Sequence, residues 1–120
     1  MKLRIKGNSL RLRLTKTEVE RICNEVYIEE RTHFSENDLT YTLEKVNTDK
    51  LSAEFNGNNI TVFIPGKFVN GWFENDVTGF SNIDSADKRE LQITVEKDFK
   101  CLDRTAEDQS DNYENPNQSC

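Results

Sequence analysis

The sequence lacks the features that mark membrane and secreted proteins. No apolar run approaches the roughly 20 residues that a membrane-spanning helix needs. The opening residues place charges where a signal peptide would have an unbroken apolar segment. The three cysteines are an odd number without a close CxxC pair, which does not fit a secreted disulfide framework. These absences predict a cytoplasmic protein without a membrane segment.

Histidine, glycine and proline are also scarce, and no specific catalytic motif is present. The chain has 1 His, 5 Gly and 2 Pro, with no Gly-rich phosphate loop and no evident internal repeat. Nothing near His33 in sequence looks like a nucleophile that it would activate. Cys101 and Cys120 could form a disulfide, or bind a metal with His33, only if the fold brought them together. The sequence therefore indicates no cofactor, metal or catalytic residue, and favours a protein that is not an enzyme.

The length and charge of the chain further limit the kinds of fold and ligand that the sequence allows. A chain of 120 residues predicts a single domain, 1–120, with one ordinary core. Its 34% hydrophobic and 32% charged residues favour a small sheet with one solvent-exposed face. The net charge of −6 argues against general nucleic-acid binding, because phosphate contacts favour a basic surface.

Short alternating runs dominate the sequence and predict strands. The predicted fold class is α+β: a mostly antiparallel sheet of about six to seven short strands with two helices, in the order ββαββββαβ. The first helix is predicted at about 16–26, beginning with a capping box of Thr17 and Glu20 and presenting an apolar face that includes Val26. The second is predicted near 67–73 with Trp72 in the core, and the longest strand at 91–102.

The opening segment predicts a hairpin with one basic face. Aliphatic residues alternate with cations on both sides of a Gly-Asn turn, so pleat geometry directs all the cations to one face. These candidate anion-binding residues are Lys2, Arg4, Lys6, Arg11 and Arg13. They could bind an anion through guanidinium groups, or they could be solvated side chains neutralised by Glu96, Asp98 or the C-terminal tail.

Acidic residues form two further features. The segment 103–120 is an acidic tail whose one aromatic residue is Tyr113, and it is predicted to pack on the domain or on a neighbouring copy. A weaker candidate is a carboxylate group that could hold a cation or transfer protons. It would comprise Glu96, Asp98 and Asp103 with Glu29 or Glu44.

Two stretches resemble a known group of proteins. The start MKLRIKGNSLRLRLTKTEVE and the end VEKDFKCLDRTAEDQSDNYENPNQSC resemble a family of small bacterial proteins with no assigned function. This resemblance implies a bacterial, cytosolic, single-domain protein and brings no site residues. The alternating charges also resemble those of the triphosphate tunnel enzymes, whose first strand resembles E-x-E-x-K. This chain has Lys2-x-Arg4-x-Lys6 instead and lacks those carboxylates.

Two functional hypotheses follow from these patterns. The first is a non-enzymatic binding or interaction module, whose charged sheet face meets a protein partner or a second copy of the chain. The alternative is the binding or processing of a phosphorylated anion at the basic face of the N-terminal hairpin.

Overall fold

The structure, a computed structural model, describes residues 1–85, 88–99 and 110–114. These residues form an α+β fold, as predicted, in the order ββαββββαββ. The elements are β1 (Lys2–Lys6), β2 (Ser9–Leu14), α1 (Lys16–Asn24), β3 (Tyr27–His33), β4 (Asp38–Val46), β5 (Ser52–Asn56), β6 (Asn59–Pro65), α2 (Gly66–Val69), β7 (Gly79–Asp84) and β8 (Leu91–Lys97). Neither described helix is long and apolar enough to cross a membrane.

The strands form two sheets, which corrects the predicted single sheet of six to seven strands. Sheet A has the order β1-β2-β8-β7, and sheet B has the order β3-β4-β6-β5. Each sheet consists of two antiparallel hairpins placed side by side. The central pairs, β2 with β8 and β4 with β6, are parallel. Both sheets are therefore mixed, because each central pair joins strands from two separate hairpins.

Strand β7 is absent from the predicted order ββαββββαβ, which has a single strand after the second helix. Its Phe80 and Asn82 share a face with Ile93 and Val95 of β8, while Ile83 points outward and is 57% exposed. A polar residue facing inward and an isoleucine facing outward do not produce the alternation that identifies a half-buried strand. The strand is specified by its pairing with β8 and not by its own pattern.

Helix α1 begins at Lys16, as predicted, but it ends earlier than predicted and is capped by a different residue. Its N-cap is Thr15, whose side chain accepts from the Glu18 backbone N–H, while the Glu18 carboxylate accepts from the Thr15 N–H at 2.9 Å. The predicted capping box at Thr17 was therefore two residues too late. The helix ends at Asn24, and Val26 is 66% exposed instead of completing the apolar face.

Helix α2 is shorter than the predicted 67–73. It ends at Val69, and Gly71 follows with φ of +76°, a left-handed conformation that favours glycine. The prediction that Trp72 lies in the core is confirmed, since its exposure is 0%. Strand β8 likewise ends at Lys97, short of the predicted 91–102.

One core lies between the two sheets. It contains Leu12, Leu14, Ile93 and Val95 from sheet A, and Ile28, Leu43, Val62 and Ile64 from sheet B. Val19 and Ile22 of α1 and Val69 of α2 join the same cluster. Aliphatic side chains thus fill the interior between the two sheets. The cations of β1 and β2 point to the opposite, outer face.

The fold contains an internal repeat that the sequence analysis missed. The first ββαββ unit contributes β1 and β2 to sheet A, and β3 and β4 to sheet B. The second unit, β5 to β8, contributes β5 and β6 to sheet B, and β7 and β8 to sheet A. Exchanging the two units converts one sheet order into the other, so the topology has two-fold symmetry.

Residue-level register supports the repeat. Gly7 corresponds to Gly57 at the two hairpin turns, and both have positive φ. Ser9 lies opposite Gln92 in sheet A, and the corresponding Asn59 lies opposite Thr40 in sheet B. Three hydrogen bonds recur at these corresponding positions. The bond from Gln92 N to Asn8 O corresponds to that from Thr40 N to Asn58 O. The bond from Lys97 N to Thr78 O corresponds to that from Lys45 N to Val26 O. The side-chain bond from Lys97 Nζ to Asn75 O corresponds to that from Lys45 Nζ to Cys23 O.

Candidate functional site

The register of β1 and β2 places the five predicted cations on one face. Lys2 lies opposite Arg13 and Arg4 lies opposite Arg11, while Lys6 lies opposite Ser9. Because paired residues of neighbouring strands project to the same side, these cations form one surface on the outside of sheet A. We call this surface, defined by Lys2, Arg4, Lys6, Arg11 and Arg13, the basic face.

Two carboxylates neutralise one side of the basic face. Glu96 of β8 lies opposite Arg13, and its Oε1 is 3.0 Å from Arg13 Nε and 3.4 Å from an Arg11 terminal nitrogen. Beyond the strand end, Asp98 Oδ2 is 3.1 Å from Lys2 Nζ. The structure therefore brings Glu96 and Asp98 to the cations, as one of the two sequence interpretations expected.

The other side of the basic face is not neutralised. Within the described part of the chain, the side chains of Arg4 and Lys6 have no carboxylate partner. Counting only the residues that the structure describes, five cations against Glu96 and Asp98 leave three positive charges in excess on this surface. Since Arg4 lies directly opposite Arg11, two like charges face each other across neighbouring strands, which is unfavourable without an anion to pair with.

Sheet B provides an internal comparison for the basic face. The positions corresponding to its five cations are Ser52, Glu54, Asn56, Thr61 and Phe63. None of these is basic, although the backbone has the same pairing pattern. The hairpin fold therefore does not itself require cations at these positions.

A short tail segment, residues 110–114, contacts the start of α1 and the residues that follow β8. The Lys16 N–H donates to the Asp111 carbonyl at 3.0 Å, and the Tyr113 N–H donates to the Asp98 carbonyl at 2.7 Å. Asn112 is buried. This segment thus packs on the start of α1 and the end of β8. The remainder of the predicted acidic tail lies outside the described residues, so its packing stays a prediction.

Lys97 and Tyr113 form a buried contact beneath this segment. Lys97 is 4% exposed, and its Nζ lies 4.9 Å from the Tyr113 ring centroid and 5.8 Å from that of Trp72. Burial lowers the pKa of Lys97 from its usual value. Burial also raises the pKa of Tyr113 to about 12. The Tyr113 hydroxyl is buried without a hydrogen-bond partner in the described structure.

Replacing Tyr113 with phenylalanine should therefore be neutral or should stabilise the protein. The change keeps the ring against Lys97 and Phe99. It removes a buried hydroxyl that finds no hydrogen-bond partner among the described residues, and such an unpaired group costs about 1–3 kcal/mol. We expect the free energy of unfolding of Tyr113→Phe to rise by up to about 1 kcal/mol, measured by urea denaturation. A decrease larger than about 1 kcal/mol would mean that the hydroxyl has a bonding partner.

The remaining predicted candidates are not brought together. Glu29 and Glu44 lie on sheet B, away from Glu96 of sheet A and Asp98 just beyond it, while Asp103 lies outside the described residues. His33 is exposed and contacts Asp38 at the end of the β3-β4 hairpin. The described residues contain no group of three or more ligands that could hold a metal ion. Cys101 and Cys120 also lie outside the described residues.

Comparison with known proteins places the chain in a family. Residues 1–117 match the sequence profile of a family described as a family of unknown function (DUF7009). No curated protein and no solved structure is significantly similar to the chain. The function must therefore be inferred from the surface of this molecule.

Proposed function

Because the chain belongs to a family of unknown function (DUF7009), we propose a role from its own surface: a non-enzymatic binding module. In this proposal the basic face of sheet A binds an acidic segment of a protein partner. The residues that carry the binding are Arg4 and Lys6, which have no carboxylate partner among the described residues, and Arg11, which shares Glu96 with Arg13.

One observation supports this proposal above the others. The hairpin β5-β6 has the same register as β1-β2 but carries no cation at the five corresponding positions. The cations of β1 and β2 are therefore not required for this hairpin to form. Three of the five are arginines, whose planar guanidinium groups pair with carboxylates through two parallel hydrogen bonds.

Each contact between the basic face and an acidic partner is expected to contribute little free energy, and the total affinity is expected to depend on salt. Arg11 and Arg13 are more than one-third exposed at 39% and 38%, so each ion pair with a partner contributes roughly 0–1 kcal/mol. Several such pairs must therefore act together. Their sum should fall as ionic strength rises, because exposed charges are screened over about 8–10 Å at physiological salt.

A phosphorylated anion is the second candidate ligand. Arg4 and Arg11 face each other across the strand pair, which leaves two guanidinium groups on neighbouring strands. A phosphate group bound between them would relieve their repulsion and accept hydrogen bonds from both. This alternative predicts saturable binding of a small phosphorylated compound, whereas the first predicts a preference for extended polycarboxylates.

Removing two cations from the basic face tests the proposal. We expect Arg4→Gln with Arg11→Gln to weaken binding of fluorescent poly-L-glutamate by about 2- to 30-fold, since two exposed pairs are lost. The binding is measured by fluorescence anisotropy at low and physiological salt. Inorganic polyphosphate and nucleotides are titrated in parallel to separate the two candidate ligands.

The matched control removes two cations elsewhere. Arg21 of α1 pairs with Glu25 and Lys67 of α2 pairs with Asp49, and both cations lie off the sheets. Arg21→Gln with Lys67→Gln changes the net charge equally and should leave the affinity within about twofold of the unchanged protein. Equal losses in both variants would show attraction to overall charge and not to the basic face.

A further inference from the structure

The outer face of sheet B is acidic, opposite in sign to the basic face. Its outward side chains include four carboxylates and one cation, which leaves three negative charges in excess. These residues, which we call the acidic face, are Glu29, Asp38, Glu44, Glu54 and Arg31. Arg31 lies 3.8 Å from Glu29 and neutralises it in part. Within the described residues, Glu44 and Glu54 have no basic partner.

The two charged faces point away from each other. Both sheets direct their aliphatic side chains into the same core, so their outer faces lie on opposite sides of the molecule. Val19, Ile22 and Val69 place the helices against this core. A single chain therefore cannot bring its own basic face onto its own acidic face.

We propose that a second copy of this chain is a partner of the basic face. The acidic face of one copy docks on the basic face of another, and the excess charges of the two surfaces, three positive and three negative, are matched. This inference rests on the proposed function, because it uses the same cations and names the acidic surface that they bind. The matching backbone registers of the two hairpins give both faces the same strand spacing.

The proposed contact is between two different surfaces. Such a heterologous contact leaves each copy with one unused face, so it continues into an open chain of molecules or closes into a ring. Contact between two basic faces or between two acidic faces would place like charges together and is disfavoured. The association should be strongest at low ionic strength, because the charges on both faces are exposed.

The internal repeat supplies substitutions that reverse each face with little risk to the fold. Arg4 corresponds to Glu54, Arg11 to Thr61 and Glu29 to Ser81. The basic-face variant is Arg4→Glu with Arg11→Thr, and the acidic-face variant is Glu54→Arg with Glu29→Ser. Each replacement introduces a residue that already occupies the corresponding strand position in the other sheet, and the two charge changes are equal and opposite.

Sedimentation velocity of the full chain at low ionic strength tests the inference. We expect the unchanged protein to form oligomers with rising concentration, and each variant alone to self-associate about 10-fold more weakly or worse. A mixture of the two variants should recover association, but only as pairs. The intact acidic face of the first variant can dock on the intact basic face of the second, and no face remains to extend the chain.

Three results would overturn the inference: a monomeric unchanged protein, variants that oligomerise as it does, or a mixture that does not pair. If circular dichroism shows that a double variant is unfolded, the single changes Arg11→Thr and Glu29→Ser replace it. Binding of poly-L-glutamate is measured on the same samples. A monomer that still binds poly-L-glutamate contradicts self-association alone, whereas a monomer that does not bind it contradicts the proposed function as well.

Discussion

Replacing Trp72 with alanine is expected to lower the free energy of unfolding by about 3–5 kcal/mol. Trp72 is fully buried and lies 5.0 Å from the Phe80 ring, between centroids. Its indole N–H donates to the Val77 carbonyl at 2.8 Å. The substitution would leave a large cavity and an unpaired carbonyl, so both packing and hydrogen bonding are lost. Urea denaturation followed by circular dichroism measures the change.

The neighbouring Phe73 provides the control for this prediction. Phe73 is 40% exposed, so Phe73→Ala removes an aromatic ring of similar kind from the surface. We expect its effect to be below about 1 kcal/mol. Similar losses in the two variants would mean that the turn after α2 does not place Trp72 in the core.

Replacing Gly79 with alanine should destabilise the protein by about 1–3 kcal/mol. A β-carbon at Gly79 would lie 2.6 Å from the Val95 carbonyl oxygen and 2.6 Å from the Glu96 β-carbon. Backbone atoms of β8 cannot yield as a flexible side chain can, so β7 and β8 must separate. Because Glu96 lies opposite Gly79 and contacts Arg11 and Arg13, the basic face should also be disturbed.

Gly66 is the matched control for Gly79. A β-carbon at Gly66 would meet its nearest neighbour, the Val46 carbonyl oxygen, at 3.8 Å, which is ordinary contact. Gly66→Ala should therefore be neutral or should stabilise the protein by up to about 1 kcal/mol. Alanine reduces the conformational entropy of the unfolded chain and has a higher helix propensity than glycine. Thermal unfolding of the two variants side by side measures the difference. Equal stability of both would contradict the close approach of β7 to β8.

Local patterns predicted the N-terminal hairpin, because its information lies in adjacent residues. In β1 and β2 the aliphatic and basic residues alternate around a turn at Gly7, which has positive φ. Pleat geometry then fixes the face of every side chain. For this reason the alternation of residue types is enough to predict that Arg4, Arg11 and Arg13 share one surface.

The arrangement of hairpins into sheets could not be predicted in the same way. Strand β2 pairs with β8, and Leu12 lies opposite Val95 across more than half the chain. The sequence of neither strand indicates which strand it pairs with, because an aliphatic inner face can pack beside any other core strand. The repeat was missed for a related reason: its units share burial and register, while identical residues are few, such as Thr42-x-Glu44-Lys45 and Thr94-x-Glu96-Lys97.

The acidic face could not be predicted from the sequence for the same reason. Glu29, Glu44 and Glu54 lie on three different strands; Glu29 and Glu54 are exposed and Glu44 is half-buried, and none of them alone marks a site. Their common surface emerges only from the register of sheet B. Sequence reasoning therefore found the cations, which are close together in the chain, and missed the opposing face, which is assembled from distant segments.

Titration of the ¹⁵N-labelled protein with poly-L-glutamate, followed by amide chemical shifts, tests the proposed function most directly. We expect the largest changes at Arg4, Lys6 and Arg11 on the outside of sheet A, with no comparable change around Arg31 of sheet B. These changes should diminish as salt is added, since exposed ion pairs are screened. Unchanged spectra, or changes centred on sheet B, would contradict a binding function for the basic face.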